Sequence, residues 1–337
     1  MTPAGFNGFG LWTIGRAATT LAESANRLNE VFAMKRRDFL GIGAAATAAM
    51  ALPVRPAPGN ADPAAIPPAG TPTKPAETLD AREKDLLKVK IAAIALATVD
   101  GMLEGNYARS LRMAEISLRH KPDIILLPEA FAAGYCGKAL ADYAEDAEKS
   151  EHLAKFRRLS TQAGCMIILG YLEKVEGDRR VRNAVVIYDR GEQVGRHYKH
   201  SLWVDAGRPY RDEPSLMIPG KEIEVFRTRF GRLAVLICYE NMLAANWDAL
   251  RGKVDFVLSP YNCQGDPAGN NVTHAKRLAI PSAWADRTGT VYCGDGYMMN
   301  PGTAGIVDAS GKVIAHSQVG AEVIVVGEIQ IKPSPSR

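Results

Sequence analysis

The sequence contains no pair of cysteines at the C-x-x-C spacing that many zinc sites and redox motifs use. It also has no apolar run of the roughly 18 residues that a membrane-spanning helix needs. A zinc-finger type of metal site and an integral membrane protein are therefore not expected. His197 and His200 form an H-x-x-H motif, but no acidic residue or third ligand stands close by in sequence, so we expect no metal there. The cysteines are spread along the chain at Cys136, Cys165, Cys238, Cys263 and Cys293.

A basic excess is also lacking once the N-terminus is set aside. The chain has 41 Lys and Arg against 37 Asp and Glu, and residues 1–61 hold six of the former and three of the latter. The remaining 35 basic and 34 acidic residues nearly cancel. Nucleic-acid binders usually carry a basic excess or stripe, so we expect no nucleic-acid partner. A hydrophobic content of 47% with 23% charged residues is typical of a globular enzyme-sized domain.

The N-terminal segment "MKRRDFLGIGAAATAAMALPV" has a basic part, a short Ala-rich apolar part and a Pro-rich continuation. It resembles a twin-arginine export signal, in which paired arginines precede Phe-Leu, here Arg36, Arg37, Phe39 and Leu40. The resemblance implies export to the periplasm by the twin-arginine machinery, with no stable membrane anchor. We assign residues 1–61 to an N-terminal extension and this signal, with Met34 as an alternative start. The alternative interpretation is the basic beginning of an amphipathic helix.

Residues 62–87 are rich in Pro and Ala and predict an extended linker. From 88 to 331, apolar strand patterns alternate with helical patterns, which predicts one α/β domain followed by a short tail, 332–337. The helical patterns include "NYARSLRMAEISLRHK", "SEHLAKFRRLSTQAG" and "HAKRLAIPSAWADR", the last interrupted by Pro281. Hairpins are predicted in "RNAVVIYDRGEQVGRHYK" and "IEVFRTRFGRLAVLIC" because each has two strand patterns about a Gly-containing turn.

Three chemically active side chains stand where predicted strands end. Glu129 follows "DIILLP", Lys199 ends a hairpin strand, and Cys238 ends "LAVLI". Ligand sites in open α/β sheets lie beyond such strand ends. A cysteine becomes an effective nucleophile beside a base, and a lysine ammonium stabilises a developing negative charge. Taken singly, the same residues also fit a buried small hydrophobe, a capping carboxylate and a surface lysine.

The ordered set of "LLPEAFAAGY", "YKHSLW" and "LAVLICYEN" resembles the Glu–Lys–Cys constellation of the nitrilase, or carbon–nitrogen hydrolase, superfamily. The likeness covers about 88–331 and extends to "DEPSLMIPG", where Glu213 matches a second glutamate that many members use to orient the lysine. It implies an α-β-β-α sandwich that forms four layers and assembles as a homodimer or larger homo-oligomer. It also implies hydrolysis of non-peptide C–N bonds without a cofactor, with Cys238 as nucleophile, Glu129 as general base and acid, and Lys199 holding the oxyanion.

The substrate is less sharply indicated. We expect Tyr135 and Trp203 to form walls of the pocket, Asn262 to face it, and the backbone N–H of Tyr239 to assist the oxyanion. The segment "CYENMLAANWDALRG" lacks the basic residue and the Pro-Glu that follow the cysteine in many members. "CYEN" resembles runs in both true nitrilases and aliphatic amidases. The sequence therefore favours a small-amide amidase, with a nitrilase as the alternative.

An N-carbamoyl amide hydrolase is less favoured, since a basic residue after the cysteine often suits carboxylate-bearing substrates. Two interpretations stand outside hydrolysis. In one of them, the chain is a binding module on an inactive scaffold. In the other, Cys238 belongs to a structural disulfide.

Overall fold

The structure is a computed structural model that describes residues 86–134, 140–208, 211–292 and 297–332. These residues lie within one compact unit, Pro75–Arg337. The predicted export signal, nearly all of the predicted linker, most of the predicted tail and Tyr135 lie outside the described residues. No helix in the described ranges is both long enough and apolar enough to cross a membrane.

The chain alternates strands and helices, as the patterns predict. The strands are β1 (Leu87–Ala97), β2 (Ile124–Leu126), β3 (Met166–Lys174), β4 (Val181–Asp189), β5 (Glu192–Tyr198), β6 (Val225–Thr228), β7 (Gly231–Val235), β8 (Phe256–Tyr261), β9 (Ser282–Tyr292), β10 (Tyr297–Pro301), β11 (Ala304–Val307), β12 (Val313–His316) and β13 (Val323–Ile331). The helices are α1 (Leu103–Ser117), α2 (Glu151–Ala163), α3 (Glu213–Leu216), α4 (Tyr239–Met242), α5 (Ala244–Leu250) and α6 (Ala268–Leu278). Short 3₁₀ turns cover Leu118–His120 and Leu140–Asp142.

The strands form two sheets that are joined at one corner. The first has the order β5-β4-β3-β2-β1-β13, and the second has the order β6-β7-β8-β9-β11-β12. Strands β1 and β9 connect them through the parallel pairs Leu96↔Arg287 and Ala97↔Thr288, and β10 forms a hairpin with β9. The short β1–β9 link brings the ends of strands from both sheets to one region.

Alternate residues of each strand face different layers. Ile91 and Ala93 of β1 pack in the core between the sheets, whereas Ile94 and Leu96 pack under α1 and α2. On the far face of the second sheet, Ala234 and Leu236 pack against Trp247 of α5. Full burial of each large apolar side chain contributes about 1.5–3 kcal/mol. A slip of one residue would move these side chains to the opposite face of the sheet, so the three core layers fix the strand register. The fold is the single-domain α-β-β-α sandwich that the resemblance implies.

One secondary-structure prediction was wrong in its second half. The segment "HAKRLAIPSAWADR" is helical only to Leu278, and Ser282–Tyr292 form strand β9. The helix ends because Ala279 adopts the left-handed conformation (φ 55°) and Pro281 has no N–H to donate. Strand β9 then lies between β8 and β11, where Trp284 is fully buried.

Candidate active site

Glu129 stands at the end of β2, on a turn that is forced by its neighbours. The ladder continues one residue past the strand, because Leu127 N–H donates to Ile168 O (2.9 Å), and Pro128 then ends it. Ala130 has a positive φ of 42°, which turns the chain sharply. Gly170 of β3 supports this turn, because a Cβ at Gly170 would meet Pro128 O at 2.6 Å and Glu129 Cα at 2.8 Å.

The end of β8 holds both Glu129 and Cys238 through neighbouring carbonyls. Tyr261 O accepts the N–H of Glu129 (3.2 Å), and Pro260 O accepts the N–H of Cys238 (2.9 Å). Residue Cys238 lies directly before α4 with φ 48° and ψ −104°. A positive φ is uncommon for a residue other than glycine, and such strained positions cluster at functional sites. The two sheets thus fix the carboxylate and the thiol on one shared support.

Lys199 follows β5 and is buried with its ammonium between two carboxylates. Its Nζ lies 2.9 Å from Glu129 Oε1 and 2.6 Å from Glu213 Oε1, and all three residues are at most 1% exposed. The other Glu213 oxygen accepts the backbone N–H of Trp203. Glu213 therefore orients Lys199 and also ties down the loop that follows it. A buried ammonium needs such partners, because charge removed from water is costly when unpaired.

Asn183 is a positioning residue that sequence reasoning missed. Its Nδ2 donates to Glu129 Oε1 (2.6 Å), and its backbone O accepts the N–H of Lys199 (2.8 Å). The available signal was an Asn that directly precedes the apolar run Ala184–Ile187 of strand β4. With Lys199 and Asn183 both bonded to Oε1, Glu129 Oε2 is buried without a hydrogen-bond partner among the described residues. This oxygen is free to take up a proton.

The environment sets the protonation of the carboxyl and the thiol. Burial raises the pKa of Glu129, aided by the nearby Glu213 carboxylate and opposed by the Lys199 ammonium. A hydrogen bond with the Cys263 side chain, burial and the Glu129 carboxylate raise the pKa of the Cys238 thiol well above its ordinary value. The resting thiol is therefore protonated, and it needs a base in order to react.

A second buried network, which sequence reasoning also missed, holds the lysine loop against the cysteine turn. Glu240 Oε2 lies 2.9 Å from His197 Nε2 and accepts the N–H of Ile237 (2.7 Å). Its Oε1 accepts the N–H of His200 (2.6 Å). Burial alone lowers the pKa of His197, but Glu240 and Glu224 more than reverse this and raise it to about 9. His197 is therefore a buried cation between two carboxylates, which gives half of the H-x-x-H motif a structural role.

A cavity of about 160 Å³ opens onto the Cys238 thiol. Of the residues predicted to contact substrate, Trp203, Tyr239 and Asn262 line it, with the Trp203 and Tyr239 rings edge to face at 5.1 Å. Asn262 is held by the Asn300 amide, which donates to its Oδ1 (2.6 Å). The cavity is further lined by Arg211, Met242, Cys263, Gln264 and Gly265.

Cys165, Cys238 and Cys263 are free thiols. The alternative in which Cys238 forms a structural disulfide is therefore absent from this structure. In the part of the chain that the structure describes, no group of three or more His, Cys, Asp or Glu is arranged to hold a metal ion.

Comparison with known proteins places the chain in a family. Residues 90–333 match the carbon–nitrogen hydrolase family model. The chain is 26% identical over 242 residues to a probable nitrilase of Schizosaccharomyces pombe, covering 68% of this chain and 84% of that protein. It is 22% identical over 255 residues to an omega-amidase of Saccharomyces cerevisiae, covering 70% and 86%. It is 22% identical to a glutamine-dependent NAD(+) synthetase of Thermotoga maritima over 72% of this chain, but spans only 42% of that longer protein.

Solved structures agree on the fold. A carbon–nitrogen hydrolase from Helicobacter pylori G27 superimposes with a TM-score of 0.63 at 18% identity, covering 72% of this chain and 89% of that one. A variant of an amidase from Nesterenkonia sp. AN1, solved with the acetamide moiety of fluoroacetamide added at its active-site cysteine, gives 0.61 at 17% identity over 71% and 90%. The chain belongs to the carbon–nitrogen hydrolase family, and it is an enzyme that hydrolyses C–N bonds.

Proposed function

We propose that this enzyme is an amidase that hydrolyses a small amide to a carboxylic acid and ammonia or an amine. The observation that carries the proposal is the buried arrangement of Lys199 Nζ, 2.9 Å from Glu129 and 2.6 Å from Glu213, beside a cysteine on a strained turn at a small cavity. Thiol, base and ammonium supply the nucleophile, the proton acceptor and the oxyanion stabiliser of an acyl transfer.

In the first half of the proposed reaction, Glu129 takes the proton of the Cys238 thiol through its unpartnered Oε2. The thiolate attacks the amide carbon, and the negative oxygen that develops is stabilised by the Lys199 ammonium and the Tyr239 N–H. The C–N bond then breaks as Glu129 returns the proton to the leaving nitrogen. The raised pKa of Glu129 suits both steps, because a higher pKa makes the carboxylate a stronger base towards the thiol and leaves the proton available for the leaving nitrogen.

In the second half, water replaces the leaving amine. Glu129 removes a proton from this water, and the resulting hydroxide attacks the thioester carbon. The C–S bond breaks, the acid departs, and the proton returns to Cys238. The net change is one amide and one water converted to one acid and one amine, with the enzyme restored.

A nitrilase is the second candidate, supported by the "CYEN" run and by the relative that is named a probable nitrilase.

The cavity contains an arginine, although the segment directly after the cysteine lacks the basic residue that many members have there. Arg211 lines it, with its Nε 3.6 Å from Asp205 Oδ2 and its Nη2 3.4 Å from Gln264 Oε1. Amides that carry a carboxylate, including N-carbamoyl amino acids, therefore belong among the compounds to test.

Ammonia release from a panel of aliphatic amides, aromatic amides, nitriles and N-carbamoyl amino acids tests the proposal. Wild type should release ammonia from amides, and Cys238→Ala should reduce the rate by roughly a thousandfold or more, as loss of a nucleophile does. Turnover of nitriles with little turnover of amides would assign the enzyme to the nitrilase branch instead. Equal rates in wild type and variant would refute the thiol mechanism.

Export to the periplasm and assembly into a homodimer or larger oligomer are part of the same proposal. Both are supported by resemblance, the first to twin-arginine signals and the second to the superfamily. Light scattering on the purified protein should give at least twice the mass of the purified chain, which is 36.4 kDa when all 337 residues are present. A monomer at working concentration would refute the second.

A further inference from the structure

A second thiol stands beside the candidate nucleophile. Cys263 and Cys238 both line the cavity, both are free, and their side chains share a hydrogen bond. Cys263 Sγ also donates to Gly265 O (3.2 Å). The same sulfur also lies 3.9 Å from Asp286 Oδ2. The two thiols therefore interact at the wall of one small cavity.

The backbone brings the two cysteines together from neighbouring parallel strands. In the β7–β8 register, Leu233 pairs with Phe256 and Val235 with Leu258, so both cysteines follow strand ends on the same side. Continuing this register puts Tyr261 opposite Cys238, and Cys263 lies two residues further along the neighbouring chain. A disulfide spans Cα atoms about 4.4–6.8 Å apart, so its formation depends on the Cys263 loop as well as on the strand spacing of about 4.8 Å. The turn at Cys238 is fixed by its strand contact, whereas Cys263 lies in a partly exposed loop beyond the end of β8, where its N–H donates to Asp286 Oδ1 (3.2 Å).

We propose that Cys263 is a resolving cysteine, which forms a reversible disulfide with Cys238 after a hydroperoxide has oxidised the nucleophile. The inference rests on the proposed role of Cys238 and adds regulation of the same site. Its physiological meaning would be protection, because sulfenic acid that is not captured proceeds to sulfinic acid, which thiols do not reduce.

The chemistry balances with a hydroperoxide as the only added oxidant. Glu129 takes the Cys238 proton, and the thiolate attacks a peroxide oxygen, so that an S–O bond forms and the O–O bond breaks. The sulfur is oxidised to sulfenic acid, and the peroxide is reduced to water or an alcohol. Cys263 then attacks this sulfur, forming the S–S bond as the S–O bond breaks and water leaves. An added dithiol reverses the state by exchange.

Cys165 provides the matched control within the same chain. It is also a free thiol, but it packs in the core beneath α2 and away from the cavity. Burial raises its pKa to about 11, so little thiolate is available to react. A Cys165→Ala variant should therefore oxidise in the same way as wild type.

The test maps disulfides in the full-length protein after treatment with hydrogen peroxide and blocking of the remaining thiols. Trypsin places Cys238 in peptide 233–251 and Cys263 in peptide 254–276. The proposal predicts that these peptides are linked in wild type and Cys165→Ala, and unlinked after dithiothreitol. Cys263→Ser should instead accumulate sulfinic acid at position 238. Sulfinic acid at this position in wild type, without the linked peptides, would overturn the proposal.

Two further readouts separate this inference from the proposed function. Peptide mapping needs no substrate, so it decides the disulfide even if no amide is turned over. Where turnover is measured, wild type should lose roughly tenfold or more of its rate on oxidation and regain it with dithiothreitol, whereas Cys263→Ser should not regain it. If Cys263→Ser fails to fold, the wild-type protein is treated instead with phenylarsine oxide, a reagent that bridges thiols that lie close together. Bridging of 238 to 263 supports the proposal, and its absence refutes it.

Discussion

The buried His197 cation leads to a quantitative prediction about pH. The imidazole lies between Glu240 and Glu224, and these carboxylates raise its pKa to about 9. The ordinary value in an unfolded chain is about 6.5. Since the folded pKa is the higher one, the stabilisation is fully present below about pH 6.5 and is lost as pH rises through about 9.

The size of the effect follows from the same two values. A difference of about 2.5 pKa units at 1.36 kcal/mol per unit corresponds to about 3 kcal/mol of unfolding free energy. This is a large share of the 5–15 kcal/mol that usually stabilises a domain. Deprotonation of His197 should also affect the active site, because Glu240 holds the backbone N–H groups of Ile237 and His200, which lie next to the reacting groups.

An NMR titration of the histidine ring signals measures this pKa directly, with the signal assigned by its absence in His197→Asn. A midpoint near 9 is expected. In denaturant unfolding, the difference between wild type and His197→Asn should shrink by about 3 kcal/mol from pH 6 to pH 9.5. His120→Asn is the matched control, because that side chain is exposed, and its difference from wild type should not vary in this way. A His197 midpoint below pH 7, or a constant difference, would refute the reasoning.

Two other changes test the support of the site and the export signal. Gly170→Ala should lower kcat by roughly 10–100-fold, because its Cβ would press on Pro128 O at 2.6 Å and displace the catalytic carboxylate. Gly105→Ala in α1 is the control and should leave kcat unchanged, because nothing lies within 4 Å of its Cβ. Equal rates for the two variants would contradict the argument. Replacing Arg36 and Arg37 together by Lys should abolish export, measured by cell fractionation, and export equal to that of the original sequence would refute the signal.

The sequence predicted the strand exits well because apolar runs that end in a polar residue are local patterns. Glu129 and Cys238 each follow such a run, Lys199 ends a predicted hairpin strand, and family likeness joined the three residues. The same local reasoning failed at Ser282–Tyr292, where a helical pattern continued past Pro281 into what is a central strand. Tertiary burial between β8 and β11 outweighs propensity there.

Contacts between segments that are distant in sequence could not be predicted from local patterns. Asn183 and Glu129 are 54 positions apart, and His197 and Glu240 are 43 apart. Neither pair has a spacing that marks it, because the partners meet only when the sheets are assembled. Glu240 lies within the quoted "CYEN" run, yet the run says nothing about its contact with the lysine loop. Cys263 was visible only as one cysteine of five.

The backbone at Cys238 restricts which amino acids can ever occupy the position. At φ 48°, a side chain branched at Cβ, such as threonine or valine, clashes with its own main chain. Serine fits the turn but offers a hydroxyl in place of the thiol. A change from thiol to threonine chemistry would therefore require the turn itself to be rebuilt. The local geometry limits the evolutionary routes by which this site can exchange its nucleophile.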